Sequence, residues 1–496
     1  MSFKITFIGA GSIGFTRTLL CDLLSVPEFH DCEVAFTDIN ETNLDMVRQL
    51  CQRDIDANGL KIKIEATTDR REALRGAKYV ISCVRVGGIE GFETDINIPL
   101  KYGVDQCVGD TLCAGGIMYG QRGVNATLDF CKDIKEVCRE DVLFLNYANP
   151  NAMMTWAANH YGGVNTIGLC HGVQGGHWQI ADALGLRMEE VDIICAGINH
   201  QTWYIQVKHG GEDMTGKILE AFERHPTYSK TEKVRIDMLR RFGYYSTESN
   251  GHLSEYVAWY RKRPDEINDW IDLSSWINGE TGGYLRVCTE GRNWFENDFP
   301  NWLKAEPRKY DGTQRSGEHG SKIIEGLETG RVYRGHFNVV NNGCITNLDD
   351  DAIVEVPGYV DKNGVNIPQV GPLPLGCAAV CAQSINVQRL AVAAAVNADR
   401  NLLIQAMMLD PLTGAVCNTY EIEQMVDEML VGGEKWLPQY KDEIARAKVR
   451  LQNPKVQVKE GYAGAARLHT KTVDEMLSDR NSATKNASEA DKAKKE

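Results

Sequence analysis

Residues 4–14 read Lys4-Ile5-Thr6-Phe7-Ile8-Gly9-Ala10-Gly11-Ser12-Ile13-Gly14 and run into the helical pattern Phe15–Leu24. An apolar run that enters a G-x-G-x-x-G loop and leaves into a helix predicts the strand, tight turn and helix of a dinucleotide-binding unit. Gly9, Gly11 and Gly14 let the backbone approach a pyrophosphate at the helix N-terminus, where free N–H groups and the helix dipole favour negative charge. The stretch therefore predicts a dinucleotide-binding fold.

An acidic residue follows the second predicted strand at the spacing that such units use. Glu33–Thr37 is an apolar, β-prone run, and Asp38 comes directly after it. An acid roughly twenty residues beyond the glycine loop meets the ribose hydroxyls. A carboxylate there also repels the 2′-phosphate of NADP, so we predict NAD as the cofactor. A plain glycine-rich turn is the alternative for the loop taken alone.

Bulk composition limits the possible functions. The 496 residues are 43% hydrophobic, which suffices for a large core in two or three domains or in one closely packed pair. The net charge of −14 argues against a nucleic-acid or anionic-membrane partner. The first predicted strand begins at Lys4 and no apolar run approaches roughly 18 residues, so we expect no signal peptide, no membrane span and a cytoplasmic location. The 15 scattered cysteines are typical of reduced thiols.

Strand and helix patterns alternate through residues 1–195. Apolar, β-branched runs bounded by charged residues are typical of parallel strands covered on both faces. Six such strands predict a Rossmann-type, doubly wound parallel sheet, the NAD-binding domain of an α/β protein. The further elements predicted here are helix Glu41–Asn58, strand Lys61–Ala66, strand Tyr79–Val84, a loop over Asn97–Gly120, helix Arg122–Glu136, strand Val142–Tyr147, helix Ala152–His160 and strand Val164–Leu169.

The rest of the chain predicts an α+β domain over residues 196–477, with substrate-binding, catalytic and oligomerisation roles. No Pro/Ser-rich linker precedes it, so we expect it to pack directly on the sheet, an arrangement that resembles lactate and malate dehydrogenases. The composition of residues 478–496 predicts a disordered tail. The patterns predict helices in Lys217–Phe242, irregular chain in Trp270–Leu303, antiparallel strands in His336–Pro357 and helices in Ile385–Leu409 and Tyr420–Leu430.

Polar side chains follow several of the predicted strands. Asp110, Asn149 and Cys170-His171 lie in loops that leave the same edge of the sheet, so we expect them to converge beside the nicotinamide. Cys170, as a thiolate, and His200, as a neutral imidazole, are reasonable ligands for a transition metal with open positions for substrate oxygens. A Cys–His pair is also compatible with core packing. His171 is predicted to be an acid or hydrogen-bond donor, with a third metal ligand and a backbone-bonded histidine as alternatives.

Several motifs follow one another in order: Gly9–Gly14, Gly109–Gly116, Asn149-Pro150, Gly168–His171, Ala196–His200, Phe242–Tyr256 and Val354–Gly364. Together they resemble the successive motifs of glycoside hydrolase family 4, over most of the chain. Members of that family depend on NAD and a metal, and they include α-galactosidases, α-glucosidases, α-glucuronidases and 6-phospho-glucosidases. Thr247-Glu248-Ser249 and Leu409–Ala415 most resemble the melibiose-cleaving α-galactosidases.

The resemblance implies a redox route to hydrolysis. NAD would take a hydride from sugar C3, a base would remove the acidified C2 proton, the aglycone would leave from C1, water would add and the hydride would return. Cys170 and His200 would hold the metal, by family similarity Mn²⁺, on the C2 and C3 oxygens, where it stabilises the enediolate. NAD would thus be regenerated in each turnover.

The resemblance also implies roles for individual residues. Asn149 would hydrogen-bond the substrate near the metal, and Asp110 would raise the basicity of the base. The predicted acid, His171, rests on the near-neutral pKa of histidine and not on the resemblance. The base would be Tyr244, in preference to Tyr245, with a bound cation lowering a phenol pKa that ordinarily lies at about 10. Both tyrosines are also compatible with core packing. A homo-oligomer is implied as well.

Two departures from the phospho-glucosidases of the family concern the substrate. His171 stands where they carry an aspartate, and Phe92 stands where they carry an arginine for the sugar phosphate. Both differences favour an unphosphorylated, α-linked sugar. We predict an α-galactoside, with α-glucosides, α-glucuronides and α-galacturonides as alternatives.

Two functions of other classes are compatible with the cofactor loop. Ser316-Gly317-Glu318-His319-Gly320 resembles the catalytic-histidine motif of lactate and malate dehydrogenases and would make the protein an NAD-dependent hydroxy-acid dehydrogenase, with His319 as acid/base. The motif lies far beyond the sixth strand, so we interpret it as local structure. The other alternative is a redox-sensing NAD-binding protein, which needs neither Cys170 nor His200.

Overall fold

A computed structural model describes residues 3–275 and 277–480. The first six strands form a parallel sheet in the order β3-β2-β1-β4-β5-β6, which confirms the predicted Rossmann-type arrangement. Their bounds are β1 (Lys4–Ile8), β2 (Glu33–Thr37), β3 (Ile64–Thr67), β4 (Tyr79–Ser82), β5 (Leu143–Asn146) and β6 (Thr166–Gly168).

An antiparallel half continues the same sheet beyond β6. Its strands are β7 (Val191–Ile198), β8 (Gln201–His209), β9 (Glu212–Asp213), β10 (Tyr333–Val340), β11 (Ile353–Asp361) and β12 (Gly364–Asn366). The full order ends β6-β10-β11-β7-β8-β9, with β12 on β11. One residue pair, Asn338↔Gly168, joins β10 to β6, and another, Glu355↔Gly197, joins β11 to β7. The predicted domain boundary after residue 195 therefore falls within β7.

Helices of the first half cover both faces of the parallel strands. They are α1 (Ile13–Leu24), α2 (Glu41–Ala57), α3 (Arg70–Leu74), α4 (Gly88–Lys101), α5 (Cys113–Val137), α6 (Asn151–Trp156) and α7 (Gly172–Ala183). A π-helical turn over Ala157–Gly162 extends α6, in agreement with the helix predicted for Ala152–His160.

The predicted loop over Asn97–Gly120 is wrong for most of its length, because α4 runs to Lys101 and α5 starts at Cys113. The glycines that suggested a loop serve close packing instead. A Cβ on Gly116 would lie 2.5 Å from the backbone carbon of Thr111, and one on Gly115 would lie 2.8 Å from the carbonyl oxygens of Asp95 and Gly109. The predicted helix Arg122–Glu136 is thus the second half of a longer, buried helix.

Helices of the second half pack against the antiparallel strands and against several helices of the first half, among them α1, α2, α4 and α5. They are α8 (Ile218–Arg224), α9 (Tyr228–Thr231), α10 (Lys233–Phe242), α11 (Asn250–Tyr256), α12 (Pro264–Trp270), α13 (Gly283–Lys304), α14 (His319–Thr329), α15 (Leu375–Asn397), α16 (Arg400–Leu409), α17 (Pro411–Val416), α18 (Thr419–Gly432) and α19 (Lys441–Arg450). The predicted antiparallel strands in His336–Pro357 are confirmed by β10 and β11. The irregular chain predicted for Trp270–Leu303 is wrong from Gly283 onward, where α13 begins.

The helix α15 departs from the prediction that no segment is long and apolar enough for a membrane span. By length and composition alone, its 23 residues could cross a membrane. Its most apolar stretch of 18 residues has a mean hydropathy of 1.3, and half of that stretch is buried inside the protein. It packs on α5 and α16. Of the predicted tail, residues 478–480 end a helix over residues 473–480, and residues 481–496 lie outside the described residues.

Candidate active site

The glycine loop after β1 has the geometry of a dinucleotide site. Gly9 has φ +80°, and a Cβ there would lie 2.8 Å from Val84 Cγ1. The Gly11 amide donates to Asp38 Oδ2 at 2.9 Å, which pins the loop to the acid after β2. A Cβ on Gly14 would meet nothing within 4 Å, and the N-terminus of α1 has no side-chain cap. Open space beside uncapped amides fits a pyrophosphate, and the residues therefore fit NAD.

The polar loops predicted to converge do meet at the carboxyl ends of the parallel strands. Asn149 Nδ2 donates to Asp110 Oδ2 at 3.1 Å. The buried Asp110 also accepts from Thr111 Oγ1 on Oδ1, and Arg85 Nη2 lies 3.4 Å from its Oδ2. Asp110 is thus an ionisable group surrounded by donors, held beside the loop that follows β4.

His200 is placed by contacts to one ring nitrogen. Its Nδ1 lies 3.0 Å from Thr111 Oγ1 and 3.3 Å from the Tyr256 hydroxyl. These contacts leave Nε2 as the nitrogen available to a metal, and partners on the other nitrogen orient a ligating imidazole. Burial is the main cause that lowers the pKa of His200 to about 4, so the ring is neutral and can act as a ligand.

Cys170, the buried His200 and Glu248 form a group whose ligand atoms all lie within 4.8 Å of one another. A second group, Asp110, His200 and His252, meets the same criterion and shares His200. Burial opposes ionisation of Glu248, but the positive charge that His200 and His252 carry when protonated, together with the hydrogen bond from His252, outweighs it and lowers the pKa of this carboxyl. Thiolate, imidazole and carboxylate are donors that suit a borderline divalent metal, so the residues fit such an ion.

His171 lies beside this cluster and contacts Glu318 of the Ser316–Gly320 motif, which resembles the catalytic-histidine motif of dehydrogenases. Its Nδ1 is 3.2 Å from Glu318 Oε1, and that hydrogen bond is the main cause that raises the pKa of His171 to about 9. The neighbouring His319 is buried, with Nδ1 2.6 Å from the Tyr333 hydroxyl. The motif is therefore more than local structure, because its glutamate contacts His171.

The two tyrosines considered as bases lie in different surroundings. Tyr244 is half-buried and packs against the apolar core that contains Trp203. Tyr245 is fully buried, with its hydroxyl donating to Gln179 Oε1 at 3.2 Å and the Arg235 guanidinium 4.1 Å above its ring. Burial raises the pKa of Tyr245 well above its usual value. The contacts of Tyr245 are thus those of a packed core residue.

Phe92, predicted from the sequence to stand where the phospho-glucosidases carry an arginine for the sugar phosphate, is buried on α4. The Arg85 guanidinium lies 4.4 Å from the centre of its ring and 5.0 Å from that of Tyr119. Arg85 is therefore stacked among aromatic rings, with one nitrogen on Asp110.

Sequence reasoning missed several side chains of this site. Glu248 and His252 are four residues apart, and Glu248 Oε2 forms a hydrogen bond with His252 Nδ1 at 2.9 Å. Glu248 precedes Ser249, the N-cap of α11, so the four-residue spacing is not a helical i,i+4 pair and gave no usable signal. Arg85 follows β4 as Cys170 follows β6, so the strand-end rule applied to it as well. The pairing of Glu318 with His171 joins distant segments and has no local signal.

Both halves of the chain match descriptions of one enzyme family. Residues 4–186 match the model of the Family 4 glycosyl hydrolases, and residues 195–413 match the model of the Family 4 glycosyl hydrolase C-terminal domain. The chain belongs to glycoside hydrolase family 4. The matched residues of this family 4 chain include the glycine loop, Cys170 and His200.

Individual family 4 proteins agree with this assignment. An alpha-galactosidase of Rhizobium meliloti is 58% identical over 483 residues, covering 97% of this chain and 98% of the relative. An alpha-galactosidase of Bacillus subtilis is 35% identical, covering 88% of this chain and 100% of the relative. The solved 6-phospho-alpha-glucosidase from gut microorganisms, in complex with NAD and glucose-6-phosphate, has a TM-score of 0.73 at 25% identity, covering 88% and 99% of the two chains. The family resemblance and the fold class predicted from the sequence are confirmed.

Proposed function

We propose that the protein is an NAD- and divalent-metal-dependent α-galactosidase. The observation that carries the proposal is the metal-binding group of Cys170 and His200 at the same sheet edge as the glycine loop. A hydroxy-acid dehydrogenase needs only the dinucleotide, whereas a family 4 glycosidase needs both. Galactose as the sugar is supported by the 58% identity to an alpha-galactosidase that aligns with nearly the whole chain.

When bound, NAD would supply reversible oxidation of the sugar and a divalent metal would supply Lewis-acid polarisation of the sugar oxygens. The chain positions both groups through Gly9, Gly11, Gly14 and Asp38 on one side and Cys170 and His200 on the other. Mn²⁺ is the ion that we propose, since family 4 structures have been solved with it.

The roles proposed for the remaining site residues rest on their contacts or on the family resemblance. Asn149 donates one amide proton to Asp110 and keeps its other amide atoms for a substrate hydroxyl. By the family resemblance, Asp110 raises the proton affinity of the base. His171, protonated through its contact with Glu318, is the proton donor to the leaving oxygen. Tyr244 stays the proposed base.

We also propose a homo-oligomer that works in the cytoplasm. The 15 cysteines are all free in the structure, which suits a reducing compartment. The net charge of −14 gives no support for binding nucleic acid or anionic membranes, and the partner that we propose is the glycoside itself.

The reaction is tested by product analysis in D₂O. The full chain is incubated with NAD, Mn²⁺ and a reductant on aryl α-galactosides, α-glucosides, α-glucuronides and α-galacturonides. We expect release of galactose with deuterium at C2 and no net NADH, because the hydride returns to the same sugar. Cys170→Ser should abolish turnover.

The possible outcomes separate the functions. Preferential cleavage of another α-glycoside would assign a different sugar as the substrate. Cleavage without deuterium at C2 would contradict the elimination route. NADH accumulation on a hydroxy acid would favour the dehydrogenase. Absence of any turnover with intact NAD binding would favour the sensor.

A further inference from the structure

Glu248 lies against the predicted metal ligands in a position fixed from several sides. A Cβ on Gly172 would lie 2.6 Å from Glu248 Oε1, so a glycine two residues after Cys170 makes room for this carboxylate. The side chain of Glu248 is only 16% exposed. The Glu248 carboxylate lies against Gly172, the first residue of α7. The fold therefore fixes its position, and it is not a solvated surface group.

The two oxygens of Glu248 have different surroundings. Oε2 accepts from His252 Nδ1 at 2.9 Å. The His252 ring stacks on the His200 ring, with centroids 4.9 Å apart and planes at 21°, so it backs the cluster. Oε1 has no such partner and faces Gly172. An imidazole that fixes one carboxylate oxygen while the other stays available is the arrangement that orients a metal-binding carboxylate.

The alternative group of Asp110, His200 and His252 is less suited to an ion. Asp110 already accepts from Thr111 and Asn149, and Arg85 brings a positive charge to 3.4 Å from it. The Nδ1 of His252 is bonded to Glu248, and its buried Nε2 has no hydrogen-bond partner among the described residues, so Arg85 beside Asp110 is what counts against this group. A cation at this group would compete with the Arg85 guanidinium for Asp110.

We propose that Glu248 Oε1 is a third protein ligand of the metal, beside Cys170 Sγ and His200. The inference rests on the proposed metal dependence. A thiolate and a carboxylate together balance the two positive charges of the ion, so the site is neutral before substrate binds. Three protein ligands leave about three positions of an octahedral ion open, enough for the two neighbouring oxygens of a neutral sugar.

Glu248 also changes which metal the site prefers. A cysteine and a histidine alone suit Zn²⁺, because soft and borderline donors in small number are typical of zinc sites. A carboxylate adds a hard donor and a higher coordination number, which favours Mn²⁺. Removal of the carboxylate should therefore weaken Mn²⁺ binding more than Zn²⁺ binding.

The test measures metal binding directly on the full chain with NAD and without substrate. Free Mn²⁺ is followed by its EPR signal, and Zn²⁺ is titrated by competition with a chromophoric chelator. We expect Glu248→Gln to weaken Mn²⁺ binding about ten-fold or more and Zn²⁺ binding clearly less. Glu318→Gln, which removes another carboxylate beside His171, is the matched control and should leave both affinities within about two-fold.

The result that overturns the proposal is Mn²⁺ binding by E248Q at wild-type affinity while C170S loses it. If E248Q does not fold, wild-type protein labelled with ¹³C at the glutamate carboxyls decides, since a directly bound carboxylate gives the Mn²⁺ ion a strong ¹³C hyperfine coupling in pulsed EPR. Absence of that coupling would refute the ligand. Because no glycoside is present, failure of α-galactoside hydrolysis leaves this outcome unaffected.

Discussion

His200 has φ = 62°, in the left-handed region that few residues other than glycine adopt. Such backbone strain persists only where the surroundings hold it, and it is concentrated at functional sites. Here the hydroxyls of Thr111 and Tyr256 hold the ring from one side. The conformation turns the imidazole of a strand-connecting residue toward Cys170, which explains why a tight turn between β7 and β8 carries a histidine.

A second residue near this turn is a buried acid, Glu355. Glu355 is buried on β11 and accepts from Asn199 Nδ2 at 3.3 Å, and its Oε1 has no hydrogen-bond partner. Burial raises the pKa of Glu355 to about 8, so the neutral acid predominates at pH 7. A neutral carboxylic acid adds no negative charge beside Cys170.

Tyr244 is the proposed base, and Tyr256 contacts the proposed metal ligand His200 through its hydroxyl. Tyr244→Phe should lower kcat for an aryl α-galactoside about 100-fold or more, because it removes the proposed base. It should also slow deuterium incorporation at C2 when the reaction is run in D₂O. Tyr256→Phe, the matched control, removes the hydroxyl at His200 Nδ1 and should weaken Mn²⁺ binding about ten-fold while C2 exchange persists at saturating metal. Unchanged C2 exchange in Y244F would assign the base to another residue.

At the scale of elements, the parallel strands were predictable and the glycine-rich helix was not. Apolar runs such as Tyr79–Ser82 are buried on both faces, and their apolar, β-branched composition predicts that burial. Helix α5 carries Gly115, Gly116 and Gly120, which ordinarily weaken a helix. Their role is visible only in three dimensions, since a Cβ on Gly120 would lie 2.7 Å from the sulfur of Met153. Local propensity gives no signal of such close contacts.

Three C-terminal helices are joined by one buried carboxylate. Asp427 of α18 accepts from Arg400 of α16 and from Arg450 of α19, each at 2.7 Å. Burial alone would raise the pKa of Asp427, but the hydrogen bonds from the two arginines outweigh it and lower the pKa below the usual 3.8. The ion pairs therefore stabilise the folded chain wherever Asp427 is ionised.

The sign of the pH dependence follows from that lowered pKa. Stability from Asp427 is fully present above its unfolded pKa and is lost as the pH falls through the lower, folded value. Asp427→Asn should lower the free energy of unfolding by about 2 kcal/mol at pH 7, with the same difference at pH 5 and a smaller one below about pH 4. Urea unfolding at these pH values measures the difference. Asp45→Asn, in an exposed pair with Arg48, should cost under about 1 kcal/mol, and a D427N effect that grows at low pH would contradict the linkage.

At the scale of the whole molecule, the site combines residues that the sequence separates widely. The strand-end rule predicted the convergence of Asp110, Asn149 and Cys170, because parallel strands present their carboxyl ends at one edge. It could not place Glu248 or Glu318, which reach the cluster from the segment before α11 and the start of α14. Positions of that kind depend on how the antiparallel half packs on the parallel half, and no local pattern encodes it.

Contacts between the two halves are extensive and polar. Arg53 Nη1 of α2 donates to the carbonyls of Trp302, Leu303 and Ala305 at the end of α13, at 2.9, 2.7 and 2.9 Å. The Ser316 amide donates to Asp22 Oδ1 of α1 at 2.7 Å. Since the sheet itself also runs through both halves, separation of the halves would expose strand edges and buried carbonyls.

We therefore expect the molecule to unfold as one cooperative unit. Native-state hydrogen exchange in increasing urea should give the amides of β1 and β11 the same limiting free energy and the same urea dependence, because both exchange only through global unfolding. Arg53→Ala should lower both values equally, while the exposed helix over residues 473–480 exchanges quickly in every variant. If the amides of β11 exchanged through a lower-energy opening while those of β1 stayed protected, the antiparallel half would unfold separately. Glu248, Glu318 and His200 could then leave the site while the glycine loop that binds NAD stayed folded.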